Sequence, residues 1–129
     1  MRISLCTITF RHHLISLDEI AAFARAGGFD GIELWGVHAR SLEHRPERNS
    51  EWLAALGLSV PMVSDYLPLE ADPVELRRRM FALARLARRW QARKIRTFAG
   101  SKASRLTGEE ERRLIAARLR ELSALAADH

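Results

Sequence analysis

The feature of this sequence that most constrains its fold is an alternation of short apolar runs with longer amphipathic segments, repeated four times along 129 residues. The apolar runs are Ile3–Ile8, Phe29–Trp35, Leu58–Val63 and Ile95–Phe98, and the amphipathic segments that follow them are Leu17–Ala26, Asn49–Leu56, Pro73–Trp90 and Gly108–Ala127. Strands that alternate with helices in this way predict βαβ units and a parallel sheet. Four such units are half of the eight that close a (β/α)8 TIM barrel, so we predict an α/β half barrel.

Length and composition indicate one folded domain, residues 1–129. Hydrophobic residues make up 47% of the chain, which argues against disorder, and no linker or low-complexity tract divides it. No apolar run approaches the roughly 20 residues of a membrane span, and the opening Met1–Leu5 lacks a signal-peptide pattern, so we expect a cytoplasmic protein. The single cysteine, Cys6, lies in the first apolar run, and we interpret it as a buried small hydrophobic residue.

The basic character of the chain, a formal charge of +5 and a pI near 10.6, raises the question of nucleic-acid binding. Most arginines belong to the third and fourth helical segments: Arg77, Arg78, Arg79, Arg85, Arg88, Arg89, Arg112, Arg113, Arg118 and Arg120. On the third segment Leu76, Met80, Leu83, Ala87 and Trp90 form one apolar stripe, which leaves these arginines mostly on the solvent side. A solvated helix face explains the charge, and we predict no nucleic-acid partner.

Local signals predict where the helices begin. Ser16 with Glu19, and Thr107 with Glu110, have the spacing of capping boxes, in which side chain and backbone satisfy each other's free donors. Asp72 is predicted to cap the third helix, which it directly precedes.

Candidate site residues are the polar ones at the carboxyl ends of the strands, where the loops of a parallel barrel converge. Arg96 alternates with Ile95 and Thr97 in the fourth strand and is expected to point into the barrel, where its planar fork would match a carboxylate or phosphate. Glu33 either pairs with an arginine or serves the site. Tyr66 is a core aromatic or a site residue, and His12 and His13 are either hydrogen-bonded loop histidines or a base or metal ligand.

Four segments carry a family resemblance: SLCTITFRHHLIS (Ser4 to Ser16), GFDGIELWGVHA (Gly28 to Ala39), MVSDYL (Met62 to Leu67) and KIRTFAGSKAS (Lys94 to Ser104). The chain resembles the sugar-phosphate isomerase/epimerase superfamily of xylose-isomerase-like barrels and, more closely, the bacterial 3-dehydroshikimate dehydratases. GFDGIELW is a superfamily signal, whereas its combination with the other three segments is more specific. The resemblance covers essentially the whole chain and matches an amino-terminal half barrel.

The resemblance implies a metal-dependent dehydration of 3-dehydroshikimate to protocatechuate, in which Mn2+ or Mg2+ stabilises an enolate. The family's arginine on the fourth strand falls on Arg96, which would hold the substrate carboxylate. Its tyrosine after the third strand falls on Tyr66, which would hydrogen-bond the substrate. His12 matches the family pattern, Glu33 matches the superfamily with a supporting role, and His13 has no inherited role.

The family's metal ligands and principal acid–base groups come from strands five to eight, which this chain lacks. We therefore expect the chain to hold no metal and to be inactive alone, and to associate with a second copy or with a complementary carboxyl-terminal half.

Other functions stay open at this stage. The chain could belong to an isomerase or epimerase acting on a ketose or inosose, or be a noncatalytic half barrel that associates through its sheet edges. A DNA-repair barrel like endonuclease IV is disfavoured, because that type places zinc-binding histidines after strands three and four, where this chain has Ser64–Tyr66 and Thr97–Ala99.

Overall fold

The computed structural model describes residues 1–128, and four parallel strands alternate with helices along them. The strands are β1 (Ser4–Cys6), β2 (Gly31–Trp35), β3 (Val63–Ser64) and β4 (Ile95–Arg96). The α-helices are α1 (Leu17–Ala26), α2 (Gly36–Ser41), α3 (Ser50–Ala55), α4 (Pro73–Arg89) and α5 (Glu109–Ala127), and short 3-10 helices lie at Thr7–Phe10 and Ser104–Leu106.

The strands form one parallel sheet in the order β1-β2-β3-β4, which confirms the predicted α/β architecture. Each strand is shorter than the apolar run that predicts it. The first run, predicted as a strand to Ile8, leaves the ladder after Cys6, because the Trp35 amide donates to the Thr7 hydroxyl at 2.9 Å instead of to a backbone carbonyl. The chain then turns into a 3-10 helix.

Residue contacts divide the chain into two compact units. The first comprises Met1–Asp65 and Leu86–Arg96 and contains the whole sheet with α1, α2 and α3. The second comprises Tyr66–Arg85 and the chain from Thr97 onward, and it contains α5. That residues 1–129 act as one domain stays a prediction.

The core of the first unit is an apolar layer between the sheet's outer face and its helices. Its fully buried side chains include Ile20, Ala21, Ala24, Ile32, Leu34, Leu53 and Val63. The predicted stripe on the third helical segment is also confirmed, since Leu76, Met80, Leu83, Ala87 and Trp90 are all buried.

In the second unit, α5 is fastened mainly by polar contacts. Leu122 is its buried residue among those described, Glu121 pairs with Arg77 at 2.5 Å, and the Arg118 guanidinium donates to the Leu69 carbonyl. Within residues 1–128 no helix combines the length and apolar character needed to cross a bilayer.

Two of the three predicted helix caps are confirmed. Ser16 and Glu19 form the reciprocal capping box of α1, and the Asp72 carboxylate accepts from the first amides of α4. The predicted box of Thr107 and Glu110 is wrong. The Thr107 hydroxyl donates instead to the Ala103 carbonyl at 3.2 Å, across the 3-10 turn, and Gly108 begins α5 without a side-chain cap.

Arg89 is the half-buried exception among the arginines of the third helical segment, which lie mostly on the solvent side as predicted. Its Nη2 donates to the carbonyls of Leu42 and Arg45, both at 2.7 Å, and its Nη1 donates to that of Glu43 at 2.9 Å. These acceptors lie in the turns between α2 and α3, so one guanidinium holds a segment that has no regular structure of its own.

Candidate functional site

The inner face of the sheet carries a row of polar side chains at the carboxyl ends of the strands. Cys6 is the register partner of Glu33, and Ser64 is the partner of Arg96. Because side chains alternate between the faces of a strand, this row lies opposite the buried apolar layer. The parallel register therefore gathers these side chains, although they lie up to 90 positions apart in the chain.

The centre of this row is an ion pair between Arg96 and Glu33. Arg96 Nη2 lies 2.6 Å from Glu33 Oε1, and the side chains are 45% and 17% exposed, respectively. The contact is a charge pair without aligned hydrogen-bond geometry at Oε1. The arginine predicted to point into the barrel and the glutamate predicted either to pair or to serve the site thus meet each other. Their roles in binding a substrate stay predictions.

Cys6 completes this cluster, and its predicted role as a buried hydrophobic residue is wrong. The residue is half-buried, and its Sγ lies 3.7 Å from Arg96 Nη2. Burial raises the pKa of the Cys6 thiol above 9.0, and the Glu33 carboxylate adds to this, while a backbone hydrogen bond at Ile8 and the Arg96 charge oppose it. The thiol is therefore protonated at neutral pH and is a poor nucleophile. The alternation of side chains along the strands could have predicted this position, because Cys6 lies on the same face of the sheet as Glu33.

A second ion pair lies beside this row. Arg40, on α2, pairs with Asp65, which follows β3, and the side chains are 46% and 13% exposed. A Cβ on Gly36 would overlap the Asp65 carboxylate, so this approach requires glycine. The sequence analysis predicted no helix here. On α2, the His38 ring packs edge-on against the Trp35 ring, with centroids 5.4 Å apart. Burial lowers the pKa of His38.

Tyr66 belongs to the second unit and is not a core residue. Its side chain is 54% exposed, and its ring stacks on Phe98 with centroids 4.9 Å apart and an interplanar angle of 6°. Phe98 was predicted to end the fourth strand, but β4 ends at Arg96 and Phe98 is 51% exposed. The pair presents an open aromatic surface.

His12 and His13 lie in an exposed turn after the first 3-10 helix. The His13 ring packs edge-on against the Phe10 ring, with centroids 6.3 Å apart. Among residues 1–128, His12 has no hydrogen bond or ion pair, so no contact joins it to the Arg96–Glu33 pair. Its predicted role in binding a substrate therefore rests on the resemblance.

The donors in the described part of the chain do not fit a divalent cation. No three His, Cys, Asp or Glu side chains converge there as a metal site requires. Glu33 and Asp65, the acidic side chains at the carboxyl ends of β2 and β3, each face a guanidinium, whose positive charge opposes a cation at the same oxygens.

Comparison with solved structures defines the class of fold. The chain superposes on a fusion of a xylose isomerase-like TIM barrel with 4-hydroxyphenylpyruvate dioxygenase (TM-score 0.73, 20% identity, 99% of this chain and 20% of that one). It also superposes on the zinc-bound IolI protein (TM-score 0.78, 14% identity, 98% of this chain and 48% of that one). At these identities the likeness concerns the fold alone, and it confirms the predicted half of a TIM barrel. No family model matches the chain.

A closer likeness is to one enzyme. The chain is 43% identical, over 135 aligned residues that include all of it, to a 3-dehydroshikimate dehydratase of Bacillus anthracis. It superposes on the crystal structure of AsbF, a probable 3-dehydroshikimate dehydratase of petrobactin synthesis in that organism, with a TM-score of 0.88 and 43% identity. The match covers 100% of this chain and 49% of AsbF, and 48% of the curated relative. The predicted resemblance is confirmed. The chain spans about half the length of these relatives, and an amino-terminal half fits.

Proposed function

We propose that this chain is the half of a 3-dehydroshikimate dehydratase that binds the substrate carboxylate. The enzyme is active when a second half completes the barrel. The reaction is the loss of water from 3-dehydroshikimate to give protocatechuate. The observation that carries the proposal is the 43% identity along the whole chain to a dehydratase of that specificity. The position of Arg96 at the carboxyl end of β4, with its side chain 45% exposed, supports it.

Each predicted site residue has a binding role in this proposal. Arg96 binds the substrate carboxylate through its planar fork, as charge-assisted pairs require. Glu33 supports Arg96, Tyr66 donates a hydrogen bond to the substrate, and His12 contacts it from the loop after β1. These groups bind and orient, whereas the base that removes the proton belongs to the second half.

A divalent cation, Mn2+ or Mg2+, would supply electrophilic stabilisation in the complete barrel, held by ligands of the second half. The substrate is a hydroxylated cyclic carboxylate, and the partners include no nucleic acid and no membrane. The proposed compartment is the cytoplasm. The second half is either another copy of the chain or a complementary carboxyl-terminal segment. Support for association comes from β1 and β4, each paired on one side only within the described residues.

The activity test compares three samples with 3-dehydroshikimate, Mn2+ and ultraviolet detection of protocatechuate. These are the 129-residue chain, the carboxyl-terminal half of the Bacillus anthracis dehydratase, and the two expressed together. We expect turnover in the co-expressed sample alone. A co-purifying, folded complex without turnover would contradict the proposed reaction, and turnover by the 129-residue chain would contradict its division between halves.

Association and metal binding are measured on the chain itself. Sedimentation is expected to give a dimer or larger species, and calorimetry is expected to show weak binding of Mn2+ or none. A compact monomer at micromolar concentration, or a stoichiometric micromolar Mn2+ site, would contradict these expectations.

A further inference from the structure

We propose that Phe98 is a positioning residue that fixes the ring of Tyr66, so that the tyrosine hydroxyl points in one direction before a ligand binds. The part concerning the ligand, a hydroxylated carboxylate, rests on the proposed function. The part concerning position rests on the stack of the two rings, whose centroids lie 4.9 Å apart and whose planes are 6° from parallel.

The geometry of the pair is that of an attractive stack. Aromatic rings attract each other when they are parallel and displaced sideways, with centroids roughly 4.5 to 7 Å apart. The distance between the Tyr66 and Phe98 centroids lies within this range. Neither ring can turn out of this arrangement without losing the contact between the two faces.

The exposure of Tyr66 explains why such a neighbour matters. The residue is 54% exposed, so the core does not enclose its ring, and exposed side chains change rotamers readily. Because the hydroxyl lies at the far end of the ring, each rotamer places it at a different point. By contacting one face of the tyrosine ring, Phe98 favours the rotamer that keeps the stack.

The backbone that carries the two rings is fastened next to both of them. The amide of Leu67, directly after Tyr66, donates to the hydroxyl of Thr97, directly before Phe98, at 3.0 Å. Leu67 itself is buried. This hydrogen bond joins the segment after β3 to the segment after β4, so the rings start from main-chain positions that are held together. The freedom that remains belongs to the two side chains, and their stack restricts it.

A hydroxyl that is positioned in advance lowers the cost of binding. A ligand that accepts a hydrogen bond from Tyr66 then does not have to immobilise the side chain itself. The expected benefit is the energy of one aromatic pair, or about three- to tenfold in affinity. Phe98 therefore contributes to binding although its own side chain carries no polar group.

The first measurement concerns position and needs no ligand. Tyr66 is the single tyrosine of the chain, so isotope-labelled tyrosine gives the NMR signals of this residue alone. Couplings between its Hα and Hβ atoms show whether one χ1 rotamer is occupied, and upfield shifts of its ring protons report a stacked neighbour. We expect one rotamer and shifted ring protons in the native chain. Phe98→Leu, which keeps an apolar side chain without an aromatic face, should give averaged couplings, and Phe98→Trp should retain one rotamer.

Phe23→Leu is the matched control. Phe23 lies on α1, is 55% exposed and packs edge-on against the Phe10 ring, with centroids 6.0 Å apart. Its replacement should leave the couplings of Tyr66 unchanged. Averaged couplings in the native chain, or a single rotamer in Phe98→Leu, would overturn the positioning role.

The second measurement concerns the ligand and uses the completed barrel. Phe98→Leu should raise KM for 3-dehydroshikimate about three- to tenfold and leave kcat nearly unchanged, because the hydrogen bond is weakened in the ground state and the transition state alike. Phe23→Leu should change neither constant. In a Tyr66→Phe background, Phe98→Leu should have no further effect, since Phe98 acts through the hydroxyl.

The outcomes separate this inference from the proposed function. If Phe98→Leu releases the Tyr66 ring but the native barrel assembles without turnover, the proposed function is wrong and the positioning role stands. An unchanged KM with a mobile Tyr66, or a further rise in KM in the Tyr66→Phe background, would remove the part concerning the ligand. Loss of the co-purifying complex in Phe98→Leu would assign Phe98 to the contact between the halves instead.

Discussion

Two arginine–carboxylate pairs lie at the carboxyl end of the sheet. They have nearly the same solvent exposure, but they connect different secondary-structure elements. Their arginines are 45% and 46% exposed, and their carboxylates are 17% and 13% exposed. Arg96 and Glu33 join two strands on the sheet's inner face, whereas Arg40 and Asp65 join α2 to the end of β3. Exposure and partner type therefore do not assign a role. The secondary-structure elements that carry each pair distinguish the two. We expect the Arg96–Glu33 pair to serve ligand binding and the Arg40–Asp65 pair to hold the backbone.

The largest expected difference concerns activity. In the completed barrel, Arg96→Ala should lower kcat/KM by the equivalent of about 2 to 5 kcal/mol, because it removes the partner of a substrate carboxylate that is buried when bound. Arg96→Lys should rescue poorly, because a point charge does not reproduce the fork. Arg40→Ala is the matched control, and steady-state kinetics should show little change. Equal losses in the two alanine variants would erase the distinction between the pairs.

For stability, the close packing of Gly36 against Asp65 is expected to matter more than the charge of the Arg40–Asp65 pair. Gly36→Ala places a methyl group against the Asp65 carboxylate and should lower the free energy of unfolding by about 1 to 3 kcal/mol. Arg40→Ala removes the half-exposed ion pair without a clash and should lower it by only about 0.2 to 1 kcal/mol. Denaturant titration at matched protein concentration measures both. A larger loss in Arg40→Ala would assign the stabilisation to charge rather than to close packing.

Cys6 provides a chemical probe of the inner pair. Burial and then the Glu33 carboxylate raise the pKa of this thiol, so Glu33→Gln should lower that pKa and increase the thiolate fraction. The rate of alkylation by iodoacetamide at pH 8, followed by mass spectrometry, should rise a few-fold. Asp65→Asn, which breaks the other pair, should leave the rate unchanged. A rise in both variants would indicate general loosening of the sheet.

The smallest effect is on the pH dependence of stability. The folded chain holds the Cys6 proton more tightly than the unfolded chain, because its pKa is raised above 9.0. The resulting stabilisation is complete below pH 9.0 and is lost as the pH rises through the folded-state pKa. Denaturant titrations between pH 8 and 10.5 should show a steeper fall for the native chain than for Cys6→Ala. Parallel curves would remove the thiol from this balance.

The sequence predicts the features that depend on periodicity and misses those that depend on backbone acceptors. Alternation along β4 correctly places Arg96 on the face opposite the apolar layer, and spacing gives the cap at Ser16. The half-buried Arg89 could not be singled out, because its partners are carbonyls, which every residue has and no sequence pattern marks. The helix α2 was missed because its six residues are too few to establish a period. The position of Cys6 on the polar face of the sheet was missed because, in a continuous apolar run, the two faces of a strand cannot be told apart.

The Arg89 contacts have a consequence for the order in which the chain folds. The carbonyls that Arg89 binds precede it by 41 to 47 positions, so the turns after α2 can be fixed only once the end of α4 has formed and packed against them. Closing a loop of that length is an entropic barrier that local contacts do not face. A nascent chain that ended before Arg89 would therefore carry α1 and β2 with an unanchored connection to α3, and late docking of a single side chain would complete that region.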